Sequence, residues 1–550
     1  SAYQYGNIYR FDKKSGERIK IKPTPGKGED TYRWNWDTPF ILSSYSGTTL
    51  YIASNKVFKS TDRGNSWTVI SDDITRKEDR NQFPVMGKYW PSSAVAKDVS
   101  TSQWGTAVAL AESPVKKGLI YVGTDDGLIQ ITNDDGETWV KVSEFPEVPE
   151  YTYVSDILPS QYDENVVYAT FNNIKSDDFT PYVLRSDDQG KTWVSIASDL
   201  PKNEAVHTIA QDPVEQNLLF VGTEMGFYFT VNGGVQWIKL GSGLPDIAVR
   251  DIAIQEREKD LVIATFGRGF YILDDYSSLR DVTEEVIENS NAIIFPIKNA
   301  KMFIKSGNGR YGTGSGYYQA QNPDFGAVFT YYLKDVPKSL KSQRLKKEKK
   351  LFKDGEPIPQ PSKKIMDAEN NEKGPYLIFT IRDNNGDIIK KIHKKASKGI
   401  SRFTWDMRYR SVSPVRLKNN KFDSMNTGSK SLRALPGKYT VSMEMYHNGQ
   451  VEELAGPVEF NTVVLENTSL PDPDPIASQE FYKRVSELRR VMTATMKYRE
   501  ELSTKTAYIQ QAIQNMVDPS VEMQGEMYEI SLELDSIAFL FSGTPAKASW

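Results

Sequence analysis

The phrase Arg33-Trp34-Asn35-Trp36-Asp37 brings together side chains that carbohydrate chemistry uses. An indole stacks on the apolar face of a sugar ring, and a guanidinium pairs with carboxylates in bidentate fashion. A carboxylate accepts from hydroxyls. Two carboxylates about 5–10 Å apart would also supply the two acidic groups of glycoside hydrolysis. The same residue types recur downstream as Trp104, Asp125, Asp126, Tyr153, Glu224, Arg250, Asp251 and Arg268, and His207 adds a candidate general base. Each acid alone reads equally as a solvated loop residue, and a lone strand histidine as a hydrogen-bonded structural one.

A more regular set of acids has a different meaning. The phrase Ser/Thr-x-Asp-x-Gly-x-x-Trp occurs with Asp62, Gly64 and Trp67, then with Asp134, Gly136 and Trp139, then with Asp188, Gly190 and Trp193. A worn copy carries Asn232, Gly234 and Trp237. A short polar side chain closes a turn on the backbone ahead of it, Gly takes the positive φ, and Trp anchors the next strand. These residues read as structural.

Each box follows a strand pair of one pattern, as in Leu50–Ser60, Ile120–Thr132 and Leu219–Thr230. A short apolar run precedes each pair, and one more strand follows each box. Four-stranded units recurring every ~40–70 residues predict a β-propeller. The boxes then join strands three and four. The candidate ligands sit at the opposite ends of the strands, where one blade hands over to the next and where strands two and three connect. Two long segments, Arg76–Gln103 and Asn172–Pro181, enter loops on that same face, and long loops on a rigid scaffold tend to be functional.

The predicted organisation is mostly β. An Asp-box propeller over 1–275, expected to be seven-bladed and incomplete at its N-terminus, precedes a linker over 276–291. Turn-separated strands over 292–466 predict an immunoglobulin-like β-sandwich, interrupted by a basic stretch at 338–364. Residues 467–550 predict a helical hairpin and tail. Asp474-Pro475 and Asp518-Pro519 are helix starts. Apolar residues at Phe481, Val485, Leu488 and Met492, and again from Met523 to Phe541, fall at spacings of four and three and read as packing. The run from Tyr5 to Ile21 resembles the outer strands of another blade, so residues ahead of Ser1 are expected to complete it.

Composition narrows the function. The chain has 550 residues, 39% hydrophobic content and a net charge of -4. That balance disfavours nucleic acid as a partner. No apolar run approaches a membrane-spanning length. Cysteine is absent, and only His207, His393 and His447 are present, so neither a thiolate nor a multi-histidine metal site is expected. The Gly-rich stretch 307–316 lacks the Lys-Ser/Thr of a phosphate loop. No cofactor is expected.

The boxes resemble the Asp-box, or bacterial neuraminidase repeat, of sialidases, sortilin-type receptors and two-propeller xyloglucan hydrolases. The order of Arg33–Pro39, Leu110–Pro114, Val122–Gly127, Ser176–Tyr182, Phe220–Glu224 and Gly267–Asp275 resembles a family of large exported bacterial proteins, sortilin-like and often labelled glycosyl hydrolases. That resemblance implies tandem propellers, an earlier propeller of the same protein as partner, and an extracellular, cell-surface or periplasmic location. The sialidase arginine triad and Tyr/Glu pair have no matching set here. The xyloglucan hydrolases place catalytic acids at a cleft between propellers; by that resemblance Asp37 is the closest positional candidate for a catalytic acid, and its partner acid is expected ahead of Ser1. Two readings follow. One is a binding or scaffold protein that holds a protein or polysaccharide partner in a larger assembly. The other is a glycoside hydrolase.

Overall fold

The computed structural model describes residues 2–84, 87–95, 103–303, 320–412, 431–465 and 474–543. The Gly-rich stretch 307–316 lies outside them. The chain divides into two compact bodies, Ser1–Val286 and Ile287–Trp550.

The first body is a run of antiparallel sheets, the blades of a propeller. Blade 1 holds Ala2–Tyr3, Asn7–Phe11 and Arg18–Lys20. Blade 2 holds Phe40–Leu42, Leu50–Ala53, Val57–Ser60 and Thr68–Val69. Blade 3 runs Ala107–Glu112, Ile120–Thr124, Ile129–Thr132 and Val140–Val142. Blade 4 runs Tyr153–Pro159, Val167–Asn173, Asp178–Ser186 and Val194–Ser195, and blade 5 runs Val206–Gln211, Leu219–Thr223, Gly226–Thr230 and Ile238–Lys239. Blade 6 has three strands, Val249–Gln255, Asp260–Thr265 and Gly269–Leu273. The insertion at 172–181 lengthens a hairpin rather than forming a loop: the strands on either side pair out to Asn173 and Asp178.

The cores lie between blades. Tyr121 and Ile131 of blade 3 pack with Val154, Ala169 and Phe171 of blade 4. Phe220 and Phe229 of blade 5 pack with Ile252 and Ile263 of blade 6. Burying one such ring contributes about 2–3 kcal/mol. Close approach needs small residues in the second strands. A Cβ on Gly222 would lie 2.6 Å from Val249 Cγ1 of the next blade.

Each box is a clasp on the blade before it. In the second box Thr132 Oγ1 donates to Asp134 Oδ1 at 2.7 Å and accepts from Gly136 N at 2.9 Å. Asp134 Oδ1 also accepts from Thr138 N at 2.9 Å. These hydrogen bonds, led by those from Thr138, hold the Asp134 carboxyl at about 2. Asp135 and Gly136 both take positive φ. Trp139 Nε1 donates to Ile70 O at 2.8 Å. Trp67 reaches Ile21 O at 2.7 Å and Trp237 reaches Ile196 O at 2.9 Å in the same way. Trp193 differs: its ring nitrogen donates to Gly190 O within its own box.

Residues 276–281 form a 3-10 helix seated on the propeller body. Tyr276 is buried, its hydroxyl donates to Asp212 Oδ2 at 2.6 Å, and Arg280 Nε lies 3.0 Å from both Asp212 oxygens.

In the second body, a three-stranded sheet (Ala292–Ile294, Ala327–Leu333, Gly399–Trp405) faces a five-stranded one across a core of Phe329, Phe379, Trp405 and Phe460. The basic stretch supplies the helix Leu340–Asp354, capped by Ser339, and a second helix, Lys363–Asn371, follows it. Arg344 joins the two through Glu369. The long helix Pro475–Gln514 starts at the Asp474 cap as expected. The second, Val521–Ser542, is capped by Ser520 rather than by Asp518. Ser520 holds the extended backbone of a cap and accepts from Met523 N. No helix among the described residues is long and apolar enough to cross a membrane.

Candidate functional site

The first strands of blades 3 to 6 share one irregularity. Register shifts fall between Ala107 and Ala109, Val154 and Asp156, Val206 and Thr208, and Val249 and Asp251. Each bulge leaves one residue outside the ladder: Val108, Ser155, His207 and Arg250. Bulges re-aim side chains, and here they set these residues where the inner strands begin.

His207 and Arg250 meet across the seam between blades 5 and 6. His207 Nε2 lies 2.7 Å from Glu224 Oε2, and Arg250 Nη1 lies 3.1 Å from His207 Nδ1. A guanidinium only donates, so Nδ1 is the acceptor and Nε2 carries the proton toward Glu224. Burial, then the Arg250 charge, pushes the imidazole below its ordinary value, and Glu224 opposes them. His207 is closed off, Glu224 partly open and Arg250 nearly half exposed. The Arg250 guanidinium also lies over Phe266, 5.4 Å from the ring centre.

Across the same face, Asp125 accepts from Thr106 N at 2.7 Å and Thr106 Oγ1 at 2.8 Å. Asn35 Nδ2 donates to Thr106 Oγ1 at 2.8 Å. Burial pushes the Asp125 carboxyl up to about 6 against these hydrogen bonds. Burial, then the charges of Asp37 and Asp125, raises the Tyr153 phenol, and Lys175 Nζ sits 5.3 Å from that ring's centre. Asp37 is exposed, and its N–H donates to Asn35 Oδ1 at 3.0 Å.

The remaining candidates divide by role. Asp126 is fully buried and accepts from Arg76 N at 2.8 Å, pinning the start of the 76–103 insertion. Arg33 Nη2 binds Asp73 Oδ2 at 3.0 Å and Thr75 Oγ1 at 2.8 Å, and its Nε donates to Gly105 O. Trp34 is buried and stacks on Phe58. Trp104 joins Phe83 and Tyr151 in an aromatic cluster, with Arg76 over Tyr151 at 4.4 Å. Trp36 stays 44% exposed beside Tyr5, while Tyr89 and Trp90 of the insertion, Arg268 and Asp251 are exposed. Among the described residues, no three His, Asp or Glu are placed to hold a metal.

Sequence reasoning named His207, Glu224 and Arg250 without pairing them. It missed Asp156, which accepts from Thr208 Oγ1 at 2.9 Å and Ile209 N at 3.0 Å of blade 5. Burial pushes Asp156 up to about 6. It also missed Glu204, buried against Met225 N and Tyr228. No local spacing marks either residue.

No protein-family model matches the chain. The xyloglucanase Xgh74A of Acetivibrio thermocellus is 29% identical over 140 residues, 23% of this chain and 16% of that protein. The chain thus spans about a sixth of the length of that relative. Among solved structures, the GH74 xyloglucanase from Xanthomonas campestris is 14% identical with a TM-score of 0.36, covering 50% of this chain and 41% of that one. An ancestral GH74 enzyme is 19% identical with a TM-score of 0.32, covering 42% and 28%. The extracellular domain of the two-component system BT3049 from B. thetaiotaomicron covers 84% of this chain and 48% of that one, at 9% identity and a TM-score of 0.33.

Proposed function

We propose that the face carrying the blade-to-blade connections binds a polysaccharide without cleaving it, and that the chain is the binding or scaffold part of an exported bacterial assembly. One observation carries the reading. Four acids near that face are taken up by the fold, Asp125 by Thr106, Asp126 by Arg76, Glu224 by His207 and Glu204 by Tyr228, while Asp37 and Asp251 stay exposed. Several of its aromatic and basic side chains reach solvent beside them, with Trp36, Tyr89, Trp90 and Arg250 exposed. Stacking rings with few hydrogen-bonding charges suit recognition of sugar faces. Local similarity to a xyloglucanase makes a β-glucan the first ligand to try.

Affinity electrophoresis in xyloglucan gels, run beside a reducing-end assay, tests the proposal. Retarded migration without new reducing ends is the expected result. Unchanged migration across a panel of plant and bacterial glycans would overturn it. The hydrolase reading rests on Asp37, which is exposed and whose charge helps raise the Tyr153 phenol. Turnover abolished by Asp37→Asn would establish that reading in place of the first.

A further inference from the structure

We propose that the outward face of the helix Leu340–Asp354 docks on a membrane surface that carries anionic phospholipid headgroups. The helix has two unlike sides. On one side, Arg344 donates to Glu369 Oε1 at 2.6 Å and Oε2 at 2.8 Å on the helix Lys363–Asn371, and to Glu348 Oε1 at 2.7 Å. Leu351, half-buried, follows on that same side, and the Glu369 side chain is only 3% exposed, so this side is closed. On the other side, Leu345, Lys346, Lys349, Phe352 and Lys353 stand at i, i+1, i+4, i+7 and i+8, which a period of 3.6 gathers into one stripe. All five are exposed, Leu345 by 48% and Phe352 by 77%. Among the described residues, no carboxylate pairs with these three lysines.

Charge names the occupant. The helix carries seven Lys or Arg against Glu348 and Asp354, in a chain whose net charge is -4, and Glu348 is spent on Arg344. The stripe therefore draws a negative surface. Its cations are lysines, point charges without the planar fork by which arginine reads one carboxylate or phosphate. That suits a plane of many headgroups better than a single anion. Leu345 and Phe352 disfavour a purely ionic partner, because a nucleic acid or an acidic glycan would leave both against charge and water. At a lipid interface they enter the acyl boundary, while the lysine stems lie along it and reach the headgroups. A face about 22 Å long and about 10 Å wide falls short of the roughly 800 Å² per partner of a stable protein interface. An interfacial helix needs no more than this stripe.

The test is flotation of the full chain with vesicles, phosphatidylglycerol mixed into phosphatidylcholine against phosphatidylcholine alone. Binding to the mixed vesicles alone, weakened by salt, is the expected result. Lys349→Glu with Lys353→Glu lowers the partition about thirtyfold or more, and Phe352→Ser lowers it about tenfold, each with an unchanged far-UV spectrum. Should a variant misfold, an environment-sensitive dye on Phe352→Cys, in a chain without other cysteines, shifts its emission to the blue when mixed vesicles are added. Absent flotation, equal flotation with both vesicles, or wild-type binding by the folded glutamate pair would each overturn the inference. So would equally tight binding to polyglutamate that Phe352→Ser leaves unchanged, which would assign the stripe to an acidic protein.

Discussion

Arg250 Nη1 donates to His207 Nδ1 at 3.1 Å across the seam of blades 5 and 6, and this single contact fixes the imidazole as neutral with its proton toward Glu224. Both residues are the extra residues of β-bulges. Two irregularities in separate sheets therefore build one charged cluster.

The pH response of His207 follows from that contact. Its folded-state pKa lies below the unfolded value of about 6.5 because burial and Arg250 oppose protonation. Above that value both states are neutral and the contribution to stability is complete. As pH falls below it, the unfolded chain takes up the proton first, so stability declines through the folded pKa. His207→Gln should flatten the decline in urea midpoints between pH 7 and pH 5. An unchanged slope would count against a folded-state pKa below the unfolded value.

Asp156 runs the opposite way. Its carboxyl is pushed up to about 6 by burial. Between the unfolded value near 3.8 and that folded value, the unfolded state ionises first. Stability therefore falls as pH rises through this window and is level above it. The integrated effect is on the order of 3 kcal/mol. Asp156→Asn should remove it, which denaturation at pH 4 and pH 7 would reveal.

Gly136 and Gly16 both hold positive φ, at 98° and 77°. A Cβ at Gly136 would stand 2.7 Å from Ile70 O of the preceding blade, while at Gly16 it meets nothing within 4 Å. Gly16→Ala should cost about 1 kcal/mol from backbone strain alone. Gly136→Ala should cost several kcal/mol, because two blades must part. Equal losses in thermal unfolding would mean that the clasp is local to its turn.

Asp212 is fully buried and holds Tyr276 and Arg280. Asp212→Ala leaves the Arg280 charge without its buried partner, and such breaks cost about 3–5 kcal/mol. Limited proteolysis should then cut near residues 276–290 well before the blades unfold. Resistance equal to the wild type would show that the 3-10 helix is held by packing alone.

If the proposed polysaccharide binding holds, Trp36→Ala and Arg250→Ala should each weaken retention about tenfold, without release of sugar. Trp34→Ala should instead lower the melting temperature, because Trp34 is buried on Phe58. Retention unaffected by Trp36→Ala would remove that ring from the binding surface.

Much of the blade architecture was legible because its signals are local. Asp134 meets Thr138 four residues on, and Thr132 meets Gly136 over the same distance. The hairpins follow from alternating strands around short polar turns. The partner of Trp139 is a carbonyl at Ile70, in another blade, and the partner of Asp156 is a backbone N–H at Ile209. No spacing rule reaches that far. The bulges that aim His207 and Arg250 leave no mark in the residues around them, since a slipped ladder is decided by the neighbouring strand.

The sequence by itself determined the repeat, the turn chemistry of the boxes and the apolar stripe of the long helix. Each depends on dihedral preference and periodicity within one segment. Only the tertiary structure decided which of those residues are occupied. It committed Asp125, Asp126, Glu224 and Arg33 to hydrogen bonds across strands and blades, tied Arg250 to His207, and kept Trp36 exposed. It also left the Phe481 stripe outside any core. Burial and hydrogen-bond saturation are properties of neighbours brought together by the chain, so they enter only when the blades and helices have packed.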